Sequence, residues 1–314
     1  MAYNGNGRAN NHNPVSEWKL REQMCDVGRR IWLKGFCAGN EGNHSYRLGE
    51  DRILCTPSLI SKGNLKPDDM CIVDLTGKQI SGKRKRTSEI LLHLAIYKER
   101  PDVKAVIHSH PPHATAFAVA GVELPTCIHP EAEVFLGPVR TAKYVTPGDT
   151  RLGESITPFI KESNTILLGN HGVVCYGPDL EDAYYKLEIV DAYSRILLLT
   201  KQLGSVRPLE ADEMKELLAL KSKFGMYDPR TAPNAAPEAM ACRGNDFLQR
   251  VGSDRAILGR GRMVSGEGTA PVQPTAQPSA LEQAISKLTP QQYSEDDIEQ
   301  LVQVITDQIM HAAL

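Results

Sequence analysis

The sequence predicts one layered α/β body with a partly antiparallel sheet, followed by a flexible extension that ends in an amphipathic helix. Three observations predict it. Short runs recurrent in Val and Ile alternate with Gly and Pro punctuation and with helical segments through the first two thirds of the chain. The gaps between the early runs are of hairpin length. Aromatic residues all but stop after position 230: only Phe247 and Tyr293 lie beyond it, too few for that stretch to bury a core of its own.

Taken in order, residues 1–13 are Asn/Gly-rich and aperiodic and read as a disordered leader. The folded body is expected over 14–230. A helix is predicted over 15–34, with Trp18, Met24, Val27 and Ile31 among its apolar positions and Gly35 as its stop. Strands are predicted at 45–48, 52–56, 70–75, 103–108, 139–144 and 165–168, and helices at 88–99, 149–162 and 179–203. From 231 to 290 the chain reads as a linker with one short helix: 264–280 contains no aromatic residue and no charge except Glu267. Ser279 with Glu282 forms a capping-box pattern before Leu281, Ala284 and Ile285, and Pro290 ends that helix. The last segment, 291–314, is a helix capped by Ser294, with Ile298, Leu301, Val302, Ile305 and Ile309 on one apolar stripe and acidic residues in its first turn. An isolated helix of this length is marginal in water, so the stripe calls for a partner groove, in this chain, another subunit or a different protein.

Charge agrees with this division. The whole chain has 36 Lys+Arg against 38 Asp+Glu, near neutrality, which gives no pull toward nucleic acid. Residues 231–314, however, hold six basic and ten acidic groups. No apolar run approaches a membrane span, and the N-terminus has no secretory h-region. The 7 cysteines are scattered without a C-x-x-C pair, which predicts reduced thiols in a cytosolic setting.

The chemistry concentrates in VIHSHPPHATAFA at 106–118. His108 and His110 stand at i, i+2 on a strand, so both imidazoles face one side, which makes half of a metal site. His171 in TILLGNHG, where another apolar strand runs out, is a third candidate ligand. Glu89 in RTSEILLHL is a fourth, at the first turn of a helix that Thr87 or Ser88 would cap. Hydroxyls and free N–H groups at a helix start, after the basic run at 83–86, make an anion site. Metal and phosphate subsites would then be neighbours, pointing to a phosphorylated small substrate handled by a Lewis acid. Each signal alone has an ordinary explanation, and their convergence is the argument. His93 and His44 read as structural or exposed, and His113 as supporting or structural.

The order GNEGNHSYR, LCTPS, RTSEILLHLAIYKERPDVKAVIHSHPPHATAFA, YVTPG, LLGNHGVVCYG over residues 15–225 resembles the class II aldolase/epimerase family of fuculose-1-phosphate and rhamnulose-1-phosphate aldolases and ribulose-5-phosphate 4-epimerase. The resemblance implies a three-layer α/β/α subunit around a mainly antiparallel sheet and a homotetramer with sites near subunit boundaries. It implies one Zn2+ per subunit held by His108, His110 and His171, approached by Glu89, which is also the catalytic acid/base. It assigns Gly42, Asn43, Ser58, Thr87 and Ser88 to the substrate phosphate. The reaction implied is cleavage of L-fuculose- or L-rhamnulose-1-phosphate to dihydroxyacetone phosphate and lactaldehyde, with C4 epimerisation or a zinc-bearing non-catalytic assembly role as alternatives. Two positions depart from the family. His129 falls where a tyrosine from a neighbouring subunit is usual, so either His129 takes over its proton transfer or the loop is realigned and the donor lies elsewhere, and Leu59 stands where a glycine is usual.

The tail resembles the encapsulation peptides that target enzymes to bacterial microcompartment shells. That implies a shell protein as partner, with Ile298, Leu301, Val302, Ile305 and Ile309 as the contact stripe, and the lumen of a microcompartment in the bacterial cytoplasm as location.

Overall fold

The computed structural model describes residues 16–226, 228–231, 242 and 247. The leader at 1–13, the helix at 291–314 with its stripe, and the linker at 231–290 apart from Thr231, Cys242 and Phe247 lie outside the described residues.

Helix α1 (Glu17–Leu33) starts where the Ser16 hydroxyl accepts the Lys19 N–H, and it turns its Leu20, Met24, Val27 and Ile31 face inward. Strands β1 (Asn43–Gly49), β2 (Arg52–Cys55), β3 (Cys71–Val73) and β4 (Gln79–Ser81) follow as an antiparallel meander. Next come α2 (Ile90–Glu99), β5 (Ala105–Ser109), α3 (Pro112–Ala120), a π-helical turn at Ala132–Leu136, β6 (Arg140–Ala142), α4 (Arg151–Ile156), β7 (Thr165–Leu168), β8 (Gly172–Gly177), α5 (Leu180–Leu203) and α6 (Ala211–Lys223).

The sheet runs β4-β3-β2-β1-β5-β8-β7-β6, and only the β6/β7 pair is parallel. The mainly antiparallel α/β expectation is met. Side chains alternate between two cores, as the pleat requires. On β5, Ala105 and Ile107 pack toward α1, α3 and α5, while Val106 packs toward α2 and α4; β8 splits the same way, with Val173 and Cys175 against Val174 and Tyr176. Helices therefore cover both faces, which makes three layers.

Four elements were not anticipated from sequence. Strand β4 has only three residues between glycines, and β8 opens on Gly172 directly after the motif that reads as the end of β7. Helix α3 follows two prolines and has no cap of its own: Asp191, far along the chain on α5, accepts the His113 and Ala114 N–H groups at 2.8 and 3.1 Å. Helix α6 carries a local capping box at Glu210 and Glu213. The helix expected over 149–162 is shorter, ending at Ile156 and continuing as a 3-10 turn at Thr157–Phe159.

The cysteine expectation also needs correction, because Cys127 and Cys242 are joined in a disulfide while Cys25, Cys37, Cys55, Cys71 and Cys175 are free. A scattered pattern does not reveal a pair 115 residues apart that the fold brings to a Cα separation of 5.6 Å. Beside it lies a buried ion cluster. Glu133 of the π turn accepts the Cys127 N–H and the Arg230 guanidinium, and Asp228 accepts from Arg230 and Lys221. Among the described residues no helix is long and apolar enough to cross a membrane.

Candidate metal and phosphate site

The central strands deliver the histidines. His108 lies on β5 opposite Asn43 of β1 and Val174 of β8, His110 follows the end of β5, and His171 sits in the tight β7–β8 turn. That turn is possible because Asn170 adopts φ +55, a left-handed conformation that asparagine tolerates. A side chain at position 172 would also collide with the His110 ring, since an added Cβ would stand 2.5 Å from its Cδ2, so the glycine that follows His171 is needed for close packing.

The three rings form a near-equilateral triangle with centroid separations of 4.9, 4.7 and 5.0 Å. Their outer nitrogens fix the tautomers of two of them. His108 Nδ1–H donates to the Val173 carbonyl at 2.9 Å, and His110 Nδ1–H donates to Glu41 Oε2 at 2.8 Å. Both Nε2 atoms then present lone pairs, and they face each other at 3.1 Å. Glu89 adds an anion, with Oε2 3.4 Å from His108 Nε2 and Oε1 3.4 Å from His171 Nε2; Oε1 is buried and has no hydrogen-bond partner. Converging lone pairs and an orphaned carboxylate oxygen repel unless a cation sits among them. Donors held about 2 Å from one ion in a tetrahedral array lie roughly 3.3 Å apart, close to the 3.1 Å between the His108 and His110 nitrogens and the 3.4 Å from Glu89 to His108 and to His171. The donor set fits a divalent cation such as zinc. Burial, followed by the neighbouring imidazoles, holds His108 well below the usual histidine range, so its ring is neutral as a ligand must be.

Glu89 occupies the N-cap position of α2, not its first turn, and its carboxylate is turned into the site instead of capping the helix. The Thr87 hydroxyl accepts the Glu89 N–H at 3.3 Å. Asn43 Nδ2 donates to Glu89 Oε2 at 2.7 Å, and Asn43 Oδ1 accepts His93 Nε2–H at 2.6 Å. His93 Nδ1 must then accept the Ser45 hydroxyl at 2.7 Å, and Ser45 Oγ accepts from Tyr97 at 2.9 Å. His93 and His44 are fully buried, and burial lowers each to about 3.

These groups open into a cavity of about 490 Å³ lined by Gly42, Asn43, Ser58, Thr87, Ser88, Glu89, His110 and His171, together with Asn40, Glu41, Leu59, Lys85 and two prolines. Every residue assigned to phosphate from sequence lines it. Their availability differs. The Ser58 hydroxyl and N–H are committed to the Arg86 and Lys85 carbonyls, and the Asn43 amide to Glu89 and His93, whereas the exposed Ser88 hydroxyl has no partner among the described residues. Leu59 adopts φ +61, in the left-handed region that favours glycine, and is 82% exposed at the rim.

Sequence reasoning missed three residues. Of the basic run at 83–86, only Lys85 lines the cavity; Arg84 pairs with Asp69, and Arg86 donates to the Gly77 and Thr87 carbonyls. Lys62 is buried behind the wall, its ammonium donating to the Asn40 and Ile60 carbonyls at 3.0 and 2.6 Å, and burial lowers it to about 8. The third is Glu41, whose only signal was an acid beside the GN pair before β1. His129, in contrast, does not line the cavity of its own chain; its ring stacks on Tyr193 of α5 at 5.8 Å between centroids. His113 pairs with Asp191 at 2.8 Å, outside the cavity.

Residues 22–198 match the family described as Class II Aldolase and Adducin N-terminal domain. The chain is 36% identical over 179 residues to an L-fuculose phosphate aldolase of Methanocaldococcus jannaschii, covering 57% of this chain and 96% of that protein. It is 31% identical over 207 residues to a 3-oxo-tetronate 4-phosphate decarboxylase of Haemophilus influenzae, covering 65% and 98%. Among solved structures, an L-fuculose 1-phosphate aldolase superposes with a TM-score of 0.62 at 27% identity, covering 68% of this chain and 100% of that one.

Proposed function

Because this chain belongs to the class II aldolase and adducin N-terminal domain family, we propose that it is a metal-dependent carbon–carbon lyase acting on a small phosphorylated ketose. The substrate in this reading is L-fuculose- or L-rhamnulose-1-phosphate, cleaved to dihydroxyacetone phosphate and lactaldehyde, and the metal is zinc. The observation that carries it is the cluster of His108, His110 and His171 with Glu89 against it, beside a cavity that His110, His171 and Glu89 line together with Ser88 and Lys85.

His108, His110 and His171 would hold the ion, whose chemistry when bound is to stabilise negative charge on the ketose carbonyl and its neighbouring hydroxyl as the bond breaks. Thr87, Ser88 and Lys85, which line the cavity, are assigned the phosphate and the orientation of the sugar chain. In the cleavage, the hydroxyl that becomes the aldehyde gives up a proton, and the carbon left with the electron pair takes one. Glu89, lying between two of the histidines, is assigned the proton at that carbon. His129, remote from its own chain's cavity, is assigned the proton at the aldehyde oxygen of a neighbouring copy in a homotetramer.

Similarity to a 3-oxo-tetronate 4-phosphate decarboxylase favours a second reading. Decarboxylation beside a ketone and retro-aldol cleavage both leave an electron pair on the carbon next to the carbonyl, so one site can support either. Incubating the zinc-loaded protein with ketose 1-phosphates, with ribulose 5-phosphate and with 3-oxo-tetronate 4-phosphate, and assaying dihydroxyacetone phosphate, aldehyde, epimer and carbon dioxide, decides between them. Aldehyde release from a deoxyketose 1-phosphate is expected. Absence of cleavage for every ketose 1-phosphate overturns the reading.

The C-terminal stripe Ile298, Leu301, Val302, Ile305 and Ile309 supports targeting to a microcompartment shell protein, where a reactive aldehyde product would be confined. A fluorescent protein carrying residues 291–314 is expected to collect at assembled shells; a diffuse signal overturns this part.

A further inference from the structure

The three candidate ligands do not receive equal support. A neutral imidazole can offer its Nε2 lone pair to a metal only if its proton is on Nδ1, so whatever accepts from Nδ1 selects the ligating form. His108 has a carbonyl for this purpose and His171 Nδ1 has no partner among the described residues, whereas His110 has a carboxylate. Two further carboxylate–imidazole pairs, His113 with Asp191 and His129 with Glu131, stand outside the cavity. Among the described residues, only Glu41 is paired with a ring whose other nitrogen faces a second imidazole nitrogen.

Glu41 is also held in place. Its Oε1 accepts the Ala38 N–H at 2.6 Å while Oε2 accepts from His110, so its own loop holds one oxygen and leaves the other for the ring. The other edge of the ring rests against Gly172, and the His110 backbone N–H is anchored on the Phe36 carbonyl at 2.9 Å. The ring thus has one orientation, with Nε2 aimed at His108.

We infer that Glu41 is a positioning residue for the metal: it fixes the Nδ1–H tautomer of His110, and its negative charge makes His110 Nε2 a stronger donor. The inference rests on the metal reading above and goes beyond the ligand set. Glu41 lies on a loop and its side chain is a third exposed, so its replacement leaves the cores untouched.

The test is zinc affinity of the full chain at pH 7.5, measured by competition with a chelating dye. Glu41→Ala is expected to weaken zinc binding roughly 10- to 100-fold. Glu41→Gln, which keeps an acceptor for Nδ1–H but removes the charge, should fall between Ala and the unaltered chain, and Glu41→Asp should recover part of the loss. Thermal midpoints of the metal-free proteins should agree. Equal zinc affinity in Glu41→Ala and the unaltered chain overturns the inference. A measurement on the unaltered chain is independent of any variant: long-range 15N–1H spectra of the metal-free protein should show His110 protonated at Nδ1, and protonation at Nε2 alone overturns it. If the unaltered chain binds no zinc, or binds it equally after His108→Ala, it is the metal reading itself that fails.

Discussion

The Asn43 side-chain amide holds Glu89 across the sheet, donating to its Oε2 at 2.7 Å while its own oxygen accepts from His93 at 2.6 Å. A carboxylate so restrained keeps one oxygen toward Asn43 and the other toward His171. Asn43→Ala removes a charge-assisted hydrogen bond worth about 1.5–3 kcal/mol, so kcat/KM is expected to fall roughly 10- to 100-fold, mainly in kcat. Steady-state cleavage assays check this; a change confined to KM would instead place Asn43 on the phosphate.

Glu89→Gln keeps the shape of the side chain and removes its capacity to exchange a proton. Because three imidazoles remain, zinc content measured by metal analysis should stay near one ion per subunit. Turnover should drop by about 10²–10⁴. Near-normal cleavage by this variant removes Glu89 from the reaction.

Gly172→Ala tests the packing behind the histidines. Its Cβ would lie 2.5 Å from His110 Cδ2 and 2.7 Å from the Ser109 carbonyl oxygen, so the ring has to rotate away from Glu41. Zinc affinity should weaken roughly 10-fold or more, with about 1–3 kcal/mol lost in urea unfolding. An affinity equal to that of the unaltered chain would show that the turn absorbs the methyl group.

Stability should depend steeply on acid. His44 and His93 are lowered by burial to about 3, so below the unfolded value near 6.5 the unfolded chain binds protons that the folded chain does not. The difference favours unfolding as pH falls, by up to about 1.4 kcal/mol per pH unit for each ring, and the loss continues until the folded rings titrate. Urea midpoints measured on the metal-free protein should be flat above pH 7 and fall progressively toward pH 4. A profile flat down to pH 4 would show that both rings are charged in the fold.

Local chemistry made part of this legible before any coordinates. The Val/Ile runs located six strands because such side chains suit a half-buried pleat, and the i, i+2 spacing of His108 and His110 carries its geometry with it. What stayed hidden depends on residues distant in sequence. Helix α3 has its N–H groups capped by Asp191, and β8 completes a hairpin only because Gly172 fits under His110. Asn43 could be placed near the phosphate by motif, yet its amide is engaged by Glu89 at the start of α2, 46 residues along the chain. Leu59 shows the opposite case, where backbone geometry overrides the residue type and a leucine takes up a glycine-like φ of +61.

The buried cluster of Glu133, Lys221, Asp228 and Arg230 bears on how the protein can be divided. The matched family region stops at residue 198, but the acid of the π turn and the loop that carries His129 are neutralised by side chains beyond it. Cutting the chain at that boundary would leave Glu133 charged in an apolar setting, a loss of several kcal/mol that falls on the loop assigned to a neighbour's active site. A minimal enzyme therefore has to include Arg230, and keeping the Cys127–Cys242 disulfide and the buried Phe247 extends it to Phe247. Genetic fusions that exchange the tail should be joined downstream of that residue, so that the loop carrying His129 stays locked.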